Sequence, residues 1–320
     1  MKLITDSAEL AECCKKLAGA EFITVDTEFI RDKTYWPKLC LVQIAGPEDE
    51  LIIDPLAENI DLAPLYWLMA QQSVLKVFHA ARQDVEIFHH EAGVIPKPMF
   101  DTQVAAMVCG FGDSVGYDTL ARKIAKVQID KSSRFSDWAR RPLSERQLTY
   151  AIQDVTHLRN IYDWMVRELS KGGRVSWLQE EMTILTDPAT YETDPRQAWQ
   201  RIKTRGGNRR FLGILQEVAA WREITAKERD IPRSRVLRDD AMLEIAAHPP
   251  RTLEEMGRLR SLSGGFSEGK LGKGLLAAVL TGLELTEAQL PAMPERDAPV
   301  HGIGPTVELL KVLLKKICDD

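Results

Sequence analysis

Two acidic residues, Asp26 and Glu28, lie two positions apart in the apolar stretch FITVDTEF, residues 22–29. The β-branched and aromatic residues of this stretch predict a strand, and side chains two apart on a strand project from the same face. Like charges side by side repel each other unless a cation lies between them. The apolar surroundings favour a central strand that presents a metal-binding pair. An edge strand with one solvated face is the alternative.

A tyrosine and an aspartate, Tyr150 and Asp154, lie four positions apart in a helical pattern that begins near Ser144. At this spacing they share one helical face, and the face continues through Leu158 and Ile161, which are typical core residues. Buried polar side chains need partners, so the pair is a second candidate for chemistry. Taken alone, a Tyr–Asp pair that caps a neighbouring loop is the more common arrangement.

Asp84 is a third candidate, because it follows the predicted strand 74–78 in a helix that starts near Ala80. An acid in the early turns of such a helix can point towards the C-terminal end of the strand, where α/β proteins commonly place their active sites. Otherwise it is an ordinary acid favoured by the helix dipole. Nearby, Asp101 is interpreted as the N-cap of the next helix. His79 could be a ligand, but a lone histidine at a strand end is more often structural.

Together these residues place several carboxylates and a tyrosine at the ends of elements in one α/β unit. Carboxylates and water are the preferred ligands of Mg²⁺ and Mn²⁺. The sequence contains no His/Cys cluster with zinc spacing, no Walker A loop and no G-x-S-x-G motif. The chemistry that remains is metal-assisted phosphodiester cleavage, in which two divalent ions about 4 Å apart activate a water and stabilise the leaving oxygen.

The elements that must position these residues follow from the periodicity of apolar residues. Early strands followed by strand–helix alternation predict an α/β fold, with a mixed sheet covered by flanking helices. A turn at 46–49 joins two of the strands in a predicted hairpin. The predicted strands are 22–29, 38–45, 50–54 and 74–78, and the predicted helices are 62–71, 80–92, 102–109, 117–126 and 144–170.

The chain of 320 residues is long enough for two domains. No apolar run approaches the length of about 18 residues that a membrane helix needs. Five cysteines without framework spacing indicate reduced thiols in a cytoplasmic protein. The net charge of −5 conceals a basic block, since residues 196–282 hold 17 Lys and Arg against 10 acids. This block fits a polyanion-binding domain beside a catalytic one, and an ordinary charged helical surface explains it equally well.

Five short motifs follow one another in the first half of the chain. They are VDTEF (25–29), HAARQD (79–84), FDTQ (100–103), DKS with SDWARRPL (130–132 and 136–143) and Q-x-x-YAIQDV (147–155). In order and spacing they resemble ribonuclease D, of the DEDD exonuclease superfamily with tyrosine in its third motif. The stretch RDIPRSRVLRDDAMLEIA (229–246) more loosely resembles the HRDC helical domain that ribonuclease D shares with some helicases.

The resemblance implies a ribonuclease H-like fold and a metal-dependent 3′→5′ exoribonuclease that releases nucleoside 5′-monophosphates. Asp26 and Glu28 would be the metal ligands of the first motif, Asp84 the acid of the second and Asp154 the last ligand, while Tyr150 would orient the attacking water. Two divalent ions, Mg²⁺ or Mn²⁺, are the implied cofactors. The implied substrate is RNA, with tRNA precursors as the family's suggested target, and the implied enzyme is a monomer without an obligate protein partner.

The resemblance also divides the chain. The predicted exonuclease domain spans 1–175, a helical and acidic linker spans 176–207, and an HRDC-like nucleic-acid-binding domain spans 208–285. Residues 286–320 hold a second linker and the start of a possible truncated second helical domain. Bacterial ribonuclease D usually continues into a second such domain, so we expect either a truncated chain or packing of the last amphipathic segment on the first helical domain.

Three arginines, Arg205, Arg209 and Arg210, are the candidate phosphate contacts. They flank two glycines just before a predicted helix and could reach out from a loop. The alternative is that they pair with Glu217 and other acids on solvated helices.

Two other functions are compatible with parts of this pattern. A DNA exonuclease could use the same carboxylates, because recognition of the 2′-OH is what distinguishes RNA from DNA. An inactive RNA-binding scaffold is disfavoured, because all four acids and the tyrosine of the motifs are present.

Overall fold

The computed structural model describes residues 1–204, 206–263, 265–293 and 302–319. The chain forms two compact units, of which one is α/β and the other helical, and this confirms the predicted fold class. The first unit comprises Met1–Thr193 with Asp230–Pro232, and the second comprises Asp194–Arg229 with Arg233–Asp320.

A six-stranded mixed sheet lies at the centre of the first unit. Its strands are β1 (Lys2–Ile4), β2 (Phe22–Ile30), β3 (Lys38–Ala45), β4 (Glu50–Ile53), β5 (Leu75–Phe78) and β6 (Met99–Asp101). Their order in the sheet is β1-β4-β3-β2-β5-β6, and β3 and β4 form the predicted hairpin. β2 pairs with β3 on one side and with β5 on the other. The edge-strand alternative for Asp26 and Glu28 is therefore wrong.

Helices cover both faces of this sheet. They are α1 (Ser7–Leu17), α2 (Ala63–Ala70), α3 (Arg82–Ala92), α4 (Thr102–Val108), α5 (Tyr117–Leu120), α6 (Glu145–Lys171) and α7 (Gln179–Leu185). On one face, the apolar side chains of α1, α2 and α3 form a core with Val25 of β2. On the other face, Val155 of α6 belongs to a core cluster with Leu41 and Ala45 of β3. Because side chains alternate along β2, Asp26 projects from the face that α6 covers.

Four features of the first unit differ from the sequence patterns. β1 and β6 have three residues each, too few for alternation to show, and they form by pairing with β4 and β5. α1 is absent from the predicted helices, and the side chain of Asp6 caps it by accepting two backbone N–H groups. The predicted helix 117–126 is divided into α5 and a π-helical turn at Ala121–Ala125. Tyr191, in the predicted linker 176–207, is buried in the core.

The second unit is helical. It contains a 3₁₀ segment (Pro195–Arg201) and the helices α8 (Arg209–Arg229), α9 (Arg233–Val236), α10 (Asp239–Ala247), α11 (Leu253–Gly257), α12 (Lys270–Glu284) and α13 (Ile303–Asp319). α8 is its central helix and buries Leu215 and Val218. Gly282 allows α12 to approach α8 closely, because a Cβ atom there would lie 2.7 Å from the Cα atom of Ile214.

The last helix, α13, leaves its apolar face exposed. Its apolar side chains, at Leu309, Leu310, Leu313, Leu314 and Ile317, are 52–71% exposed. The expectation that this segment packs its apolar face on the first helical domain is therefore not met.

The remaining sequence expectations concern thiols and membranes. Cys13, Cys14, Cys40 and Cys109 are free thiols, and the side chain of Cys318 lies outside the described residues. Within the ranges that the structure describes, no helix is long and apolar enough to cross a bilayer.

Candidate active site

Asp26 and Glu28 project from β2 into the space beside α6. Their neighbour on the same face, Thr24, donates a hydrogen bond from Oγ1 to the carbonyl of Val155 at 2.8 Å. This contact fixes the face of β2 against α6. In the register of β2 with β3, Asp26 lies opposite Gln43. At their own positions both carboxylates are thus held by pairing with β3, while β5 pairs with the preceding residues of β2, from Phe22 to Thr24.

α6 brings Tyr150 and Asp154 to the same space. The helix begins with a capping box, in which Ser144 and Gln147 satisfy each other's backbone N–H groups. One carboxylate oxygen from each of Asp26, Glu28 and Asp154 lies within 4.8 Å of the other two. The hydroxyl of Tyr150 is hydrogen-bonded to Asp154. The structure therefore brings together four of the five residues that the motifs single out.

Asp84 approaches from the other side of the sheet. It lies in the first turn of α3, is 6% exposed and accepts a hydrogen bond from Oγ1 of Thr27. Because Thr27 alternates with Asp26 and Glu28 along β2, its side chain projects from the opposite face. Asp84 is thus outside the three-carboxylate cluster, although it lines the same cavity.

Asp101 fixes the turn that carries Asp84, and its predicted role as the N-cap of α4 is confirmed. Its carboxylate accepts the backbone N–H groups of Gln103, Val104, Ala80 and Ala81 at 2.7–3.4 Å. One side chain therefore holds the beginnings of both α3 and α4. His79 also faces the cavity, and its Nδ1 lies 3.0 Å from Oγ1 of Thr102.

Burial and mutual repulsion raise the pKa values of the clustered acids. Burial raises the pKa of Glu28 to about 10, and the negative charges of the three aspartates add to the effect. Burial, followed by the charge of Asp154, holds the pKa of Asp26 well above its usual value. Burial and the charge of Asp26 do the same for Asp84. Burial raises the pKa of Asp154 to about 7, against the hydrogen bond from Tyr150.

A divalent cation fits this cluster. Three carboxylates that share a partly buried space repel one another, and a bound cation removes that repulsion. The donor set consists of carboxylate oxygens, which hard ions such as Mg²⁺ and Mn²⁺ prefer. No histidine or cysteine joins the cluster in the described part of the chain, so the ligands do not have the composition of a typical zinc site.

The carboxylates line a cavity of about 400 Å³, a volume typical of ligand sites. Its wall also includes four residues whose roles the sequence motifs do not indicate, namely Tyr117, Lys131, Arg134 and Phe135. The hydroxyl of Tyr117 donates to the carbonyl of Gln153 on α6 at 2.6 Å. Lys131 is part of the DKS motif, which was the only signal that this segment lies near the acids.

Two of these wall residues act on the carboxylates through their charge. The positive charges of Arg134 and Lys131 both lower the pKa of Asp154, and Arg134 also lowers that of Glu28. The DKS motif and the residues that follow it therefore present cations towards the acidic cluster.

Arg209 and Arg210 do not reach out from a loop, contrary to the sequence expectation. They begin α8, and their guanidinium groups donate to backbone carbonyls at the end of α12 and in the turn beyond it. Arg210 reaches the carbonyl of Leu285 at 2.5 Å, and Arg209 reaches that of Glu287 at 2.8 Å. Helix ends leave such carbonyls without partners, so these arginines are used within the second unit.

Arg205 lies outside the described residues. Glu217, the suggested acidic partner, pairs with Arg196 at 2.6 Å. Phosphate contact by the three candidate arginines stays a prediction that no contact in the structure supports.

Two sequence families match this chain. The 3′-5′ exonuclease family matches residues 1–170, and the HRDC domain family matches residues 211–279. The first match contains Asp26, Glu28, Asp84, Tyr150 and Asp154 and covers more than half of the chain.

Curated and solved relatives agree with these matches. The chain is 51% identical over 315 residues to ribonuclease D of Nitrobacter hamburgensis, covering 98% of this chain and 82% of that protein. It is 51% identical over 313 residues to ribonuclease D of Granulibacter bethesdensis, covering 98% and 79%. Among solved structures it resembles Escherichia coli RNase D, an exoribonuclease involved in structured RNA processing. That match has a TM-score of 0.84 and 32% identity, and covers 99% of this chain and 84% of that chain.

Proposed function

This chain belongs to the ribonuclease D family of 3′→5′ exoribonucleases, and from that premise we propose that it releases nucleoside 5′-monophosphates by two-metal hydrolysis of the last phosphodiester. The observation that carries this proposal is the cluster of carboxylates from Asp26, Glu28 and Asp154, with oxygens within 4.8 Å of one another. Such a cluster is costly without cations, so a hydrolytic metal site is the function that explains it best.

The residues take separate roles in this proposal. Asp26, Glu28, Asp84 and Asp154 would hold two divalent ions, either Mg²⁺ or Mn²⁺. When bound, the ions supply Lewis acidity, which favours deprotonation of a water and stabilises charge on the leaving oxygen. Tyr150 uses its hydroxyl to orient the attacking water, and its hydrogen bond to Asp154 holds the side chain in place.

We assign Tyr150 to positioning rather than to general-base catalysis. Burial and the neighbouring carboxylates raise the pKa of the Tyr150 hydroxyl above its usual value, so the group stays protonated at neutral pH. A protonated phenol can both donate and accept a hydrogen bond. It is therefore suited to holding a water in line with the phosphate.

We infer that the substrate is RNA, with the 3′ ends of structured RNAs such as tRNA precursors as the physiological class. Two observations support this inference. The Escherichia coli relative is described as acting in structured RNA processing. Residues 196–282 carry 17 Lys and Arg against 10 acids, which is the charge that a second, RNA-gripping unit needs.

The central test uses RNA labelled at its 5′ end, incubated with the protein and either Mg²⁺ or Mn²⁺. The expected result is a ladder that shortens from the 3′ end, with nucleoside 5′-monophosphates as products. A chelator should stop the reaction, and added Mg²⁺ should restore it. DNA of the same sequence is the matched control for the sugar. Cleavage that persists in the chelator, or products that carry a 3′-phosphate, would contradict the proposal.

The RNA grip of the second unit needs a separate experiment on the whole chain. Arg235, Lys270 and Lys273 are exposed bases of this unit, and they can be changed together to glutamine. Log affinity for single strands falls with log salt by roughly 0.7 for each phosphate neutralised, so the salt dependence should become shallower. The control changes Lys15, Lys33 and Lys97, three exposed bases of the first unit. Equal slopes for the two triple variants would contradict the RNA grip.

A further inference from the structure

Phe135 is the most exposed large apolar side chain in the part of the chain that the structure describes, at 91%. It also lines the cavity that holds the carboxylates. Single exposed apolar side chains are common on protein surfaces, so exposure by itself assigns no role. Two further features of its surroundings distinguish Phe135 from an ordinary surface residue.

The first feature is the ordered segment that carries the ring. On either side of Phe135, Ser133 is 3% exposed and Trp138 is 2% exposed, so the neighbouring chain is packed into the unit. A backbone hydrogen bond from the N–H of Ser136 to the carbonyl of Ser133, at 3.0 Å, closes the turn. The ring is therefore held outward by buried neighbours.

The second feature is the cation beside the ring. The guanidinium of Arg134 lies 5.3 Å from the ring centroid of Phe135, a distance at which cation and ring attract each other. Arg134 also lines the cavity that holds the carboxylates. An aromatic face and a cation thus lie together at the wall of the cavity.

The proposed reaction indicates which part of the substrate would contact Phe135 and Arg134. To release a 3′-terminal nucleotide, the cavity must receive that nucleotide with its phosphate at the carboxylates. With the phosphate at the carboxylates, the planar part of the nucleotide that is left to contact the cavity wall is the base. Aromatic side chains stack on bases in proteins that bind single strands, and the contact tolerates any sequence because every base has a π-face. A nuclease that removes successive nucleotides meets a different base at each step.

We propose that Phe135 and Arg134 form a stacking subsite for the 3′-terminal base of a single-stranded RNA end. The inference rests on the proposed function, because it assumes that the 3′ end enters beside Asp26 and Asp154. Phe135 supplies the stacking face, and Arg134 orients the ring and supplies a positive charge near the terminal phosphodiester.

The test measures binding rather than cleavage, in a chain that carries Asp26→Asn so that the RNA stays intact. Two RNA oligonucleotides are compared that differ only in whether the 3′-terminal residue carries a base. With Phe135 present, loss of the terminal base should weaken binding by about 10-fold, within a range of roughly 5- to 150-fold. With Phe135→Ala added, both oligonucleotides should bind equally weakly.

Three further variants sharpen this test. Phe135→Trp should keep the preference for the terminal base, and stacking should quench the added indole fluorescence. Phe135→Leu keeps an apolar side chain without a ring, so it should behave like the alanine variant. Trp177→Ala is the matched control, because Trp177 is 65% exposed and does not line the cavity. It should leave the preference unchanged.

Two outcomes would overturn the inference. One is a Phe135→Ala variant that still prefers the base-bearing end by the same factor. The other is a preference in the parent chain that follows the penultimate base instead of the terminal one. Because the RNA is not cleaved, either result can occur while metal-dependent 3′ cleavage by the unaltered chain stands. Conversely, if the unaltered chain fails to cleave RNA, the binding comparison can still be interpreted. The thermal midpoint of each variant checks that it is folded.

Discussion

Buried charged groups are arranged in opposite ways in the two units of this protein. In the cavity of the first unit, Asp26, Glu28 and Asp154 gather carboxylate oxygens within 4.8 Å, and their pKa values are raised. In the second unit, the buried Glu223 accepts two hydrogen bonds from Arg233, at 2.5 and 2.7 Å. Both arrangements place carboxylates out of water, but of these four carboxylates only that of Glu223 is held, among the described residues, in a direct ion pair with a cation of the chain.

This difference in pairing distinguishes buried charges that serve function from buried charges that stabilise the fold. A buried ion pair with bidentate geometry satisfies its own charge, so it holds neighbouring elements together. Like charges that converge without such a partner reduce stability in the metal-free protein, and their positions make sense if an ion from solution completes them.

Removing one carboxylate of the unpaired cluster should abolish catalysis without unfolding the protein. Asp26→Asn removes a proposed metal ligand, so cleavage of RNA in Mg²⁺ should become undetectable. In the metal-free state the same change relieves repulsion with Asp154, so the thermal midpoint should hold or rise. Activity assays in Mg²⁺ check the loss of cleavage, and thermal melts in a chelator check the midpoint. Near-normal cleavage by the variant would show that the site is wrongly assigned.

Removing the hydroxyl of Tyr150 should slow the reaction while leaving the affinity for RNA almost unchanged. Loss of one contact that positions or activates the nucleophile typically lowers rates by about 10²–10⁴-fold, so Tyr150→Phe should lower kcat by this factor. Tyr162→Phe is the matched control, because Tyr162 lies on the same helix within an aromatic cluster outside the cavity. Equal kcat values for the two variants would mean that Tyr150 is only packed.

In contrast to the variants of the acidic cluster, a variant that breaks the ion pair of Glu223 and Arg233 should lower stability. Glu223→Gln leaves the guanidinium of Arg233 without its bidentate acceptor, and removing one partner of a buried pair costs about 3–5 kcal/mol. The free energy of unfolding of the second unit should fall by this amount in denaturant titrations. Glu254→Gln is the control, since Glu254 is 79% exposed in its pair with Arg258 and surface pairs contribute little. Similar losses of stability for both variants would show that the buried ion pair contributes no more than an exposed one.

The sequence predicts the acidic cluster well because its signals are local. The spacing of Asp26 and Glu28 on a strand, and of Tyr150 and Asp154 on a helix, places each pair on one face whatever the rest of the chain does. Motif order then indicates that the two pairs meet. The three-residue strands β1 and β6 carry no periodicity, and they exist only because a neighbouring strand offers an edge.

Roles that depend on distant partners could not be predicted in this way. Arg210 binds the carbonyl of Leu285, 75 positions away, so its own surroundings in the sequence indicate a loop and nothing of this contact. Phe135 is a second such residue. None of the sequence motifs assigns it a role, and the fold turns its ring outward at the wall of the cavity.

Lys76 is an intermediate case, a buried cation whose partners are neutral. Its Nζ donates to the carbonyls of Gln71, Val74 and Lys97 at 2.7–2.8 Å. Burial lowers the pKa of Lys76 to about 8 from its usual 10.5. The penalty for burying the charge is therefore present in full below pH 8 and disappears as pH rises towards 10.5.

Stability relative to Lys76→Met should therefore increase across this pH window. At roughly 1.4 kcal/mol per pKa unit, the increase should be on the order of 3 kcal/mol. The measurement is the difference in free energy of unfolding between the two proteins from pH 7 to 11. Taking the difference removes the contributions of other groups that titrate in the same range. A difference that stays constant with pH would show that the three carbonyls fully compensate for burial.

Gln43 provides the smallest and most specific test, because it is a buried neutral group without a partner. Its side chain is fully buried opposite Asp26 in the sheet, and neither Oε1 nor Nε2 has a hydrogen-bond partner within the described residues. An unsatisfied buried polar group costs about 1–3 kcal/mol. Gln43→Met keeps a similar shape and removes both polar atoms, so the metal-free protein should gain about 1 kcal/mol in denaturant titrations. Gln72→Met, at an exposed position, should change stability by less than half of this. A loss of stability in Gln43→Met would mean that the amide is satisfied in solution, and Gln43 would then belong with the compensated groups.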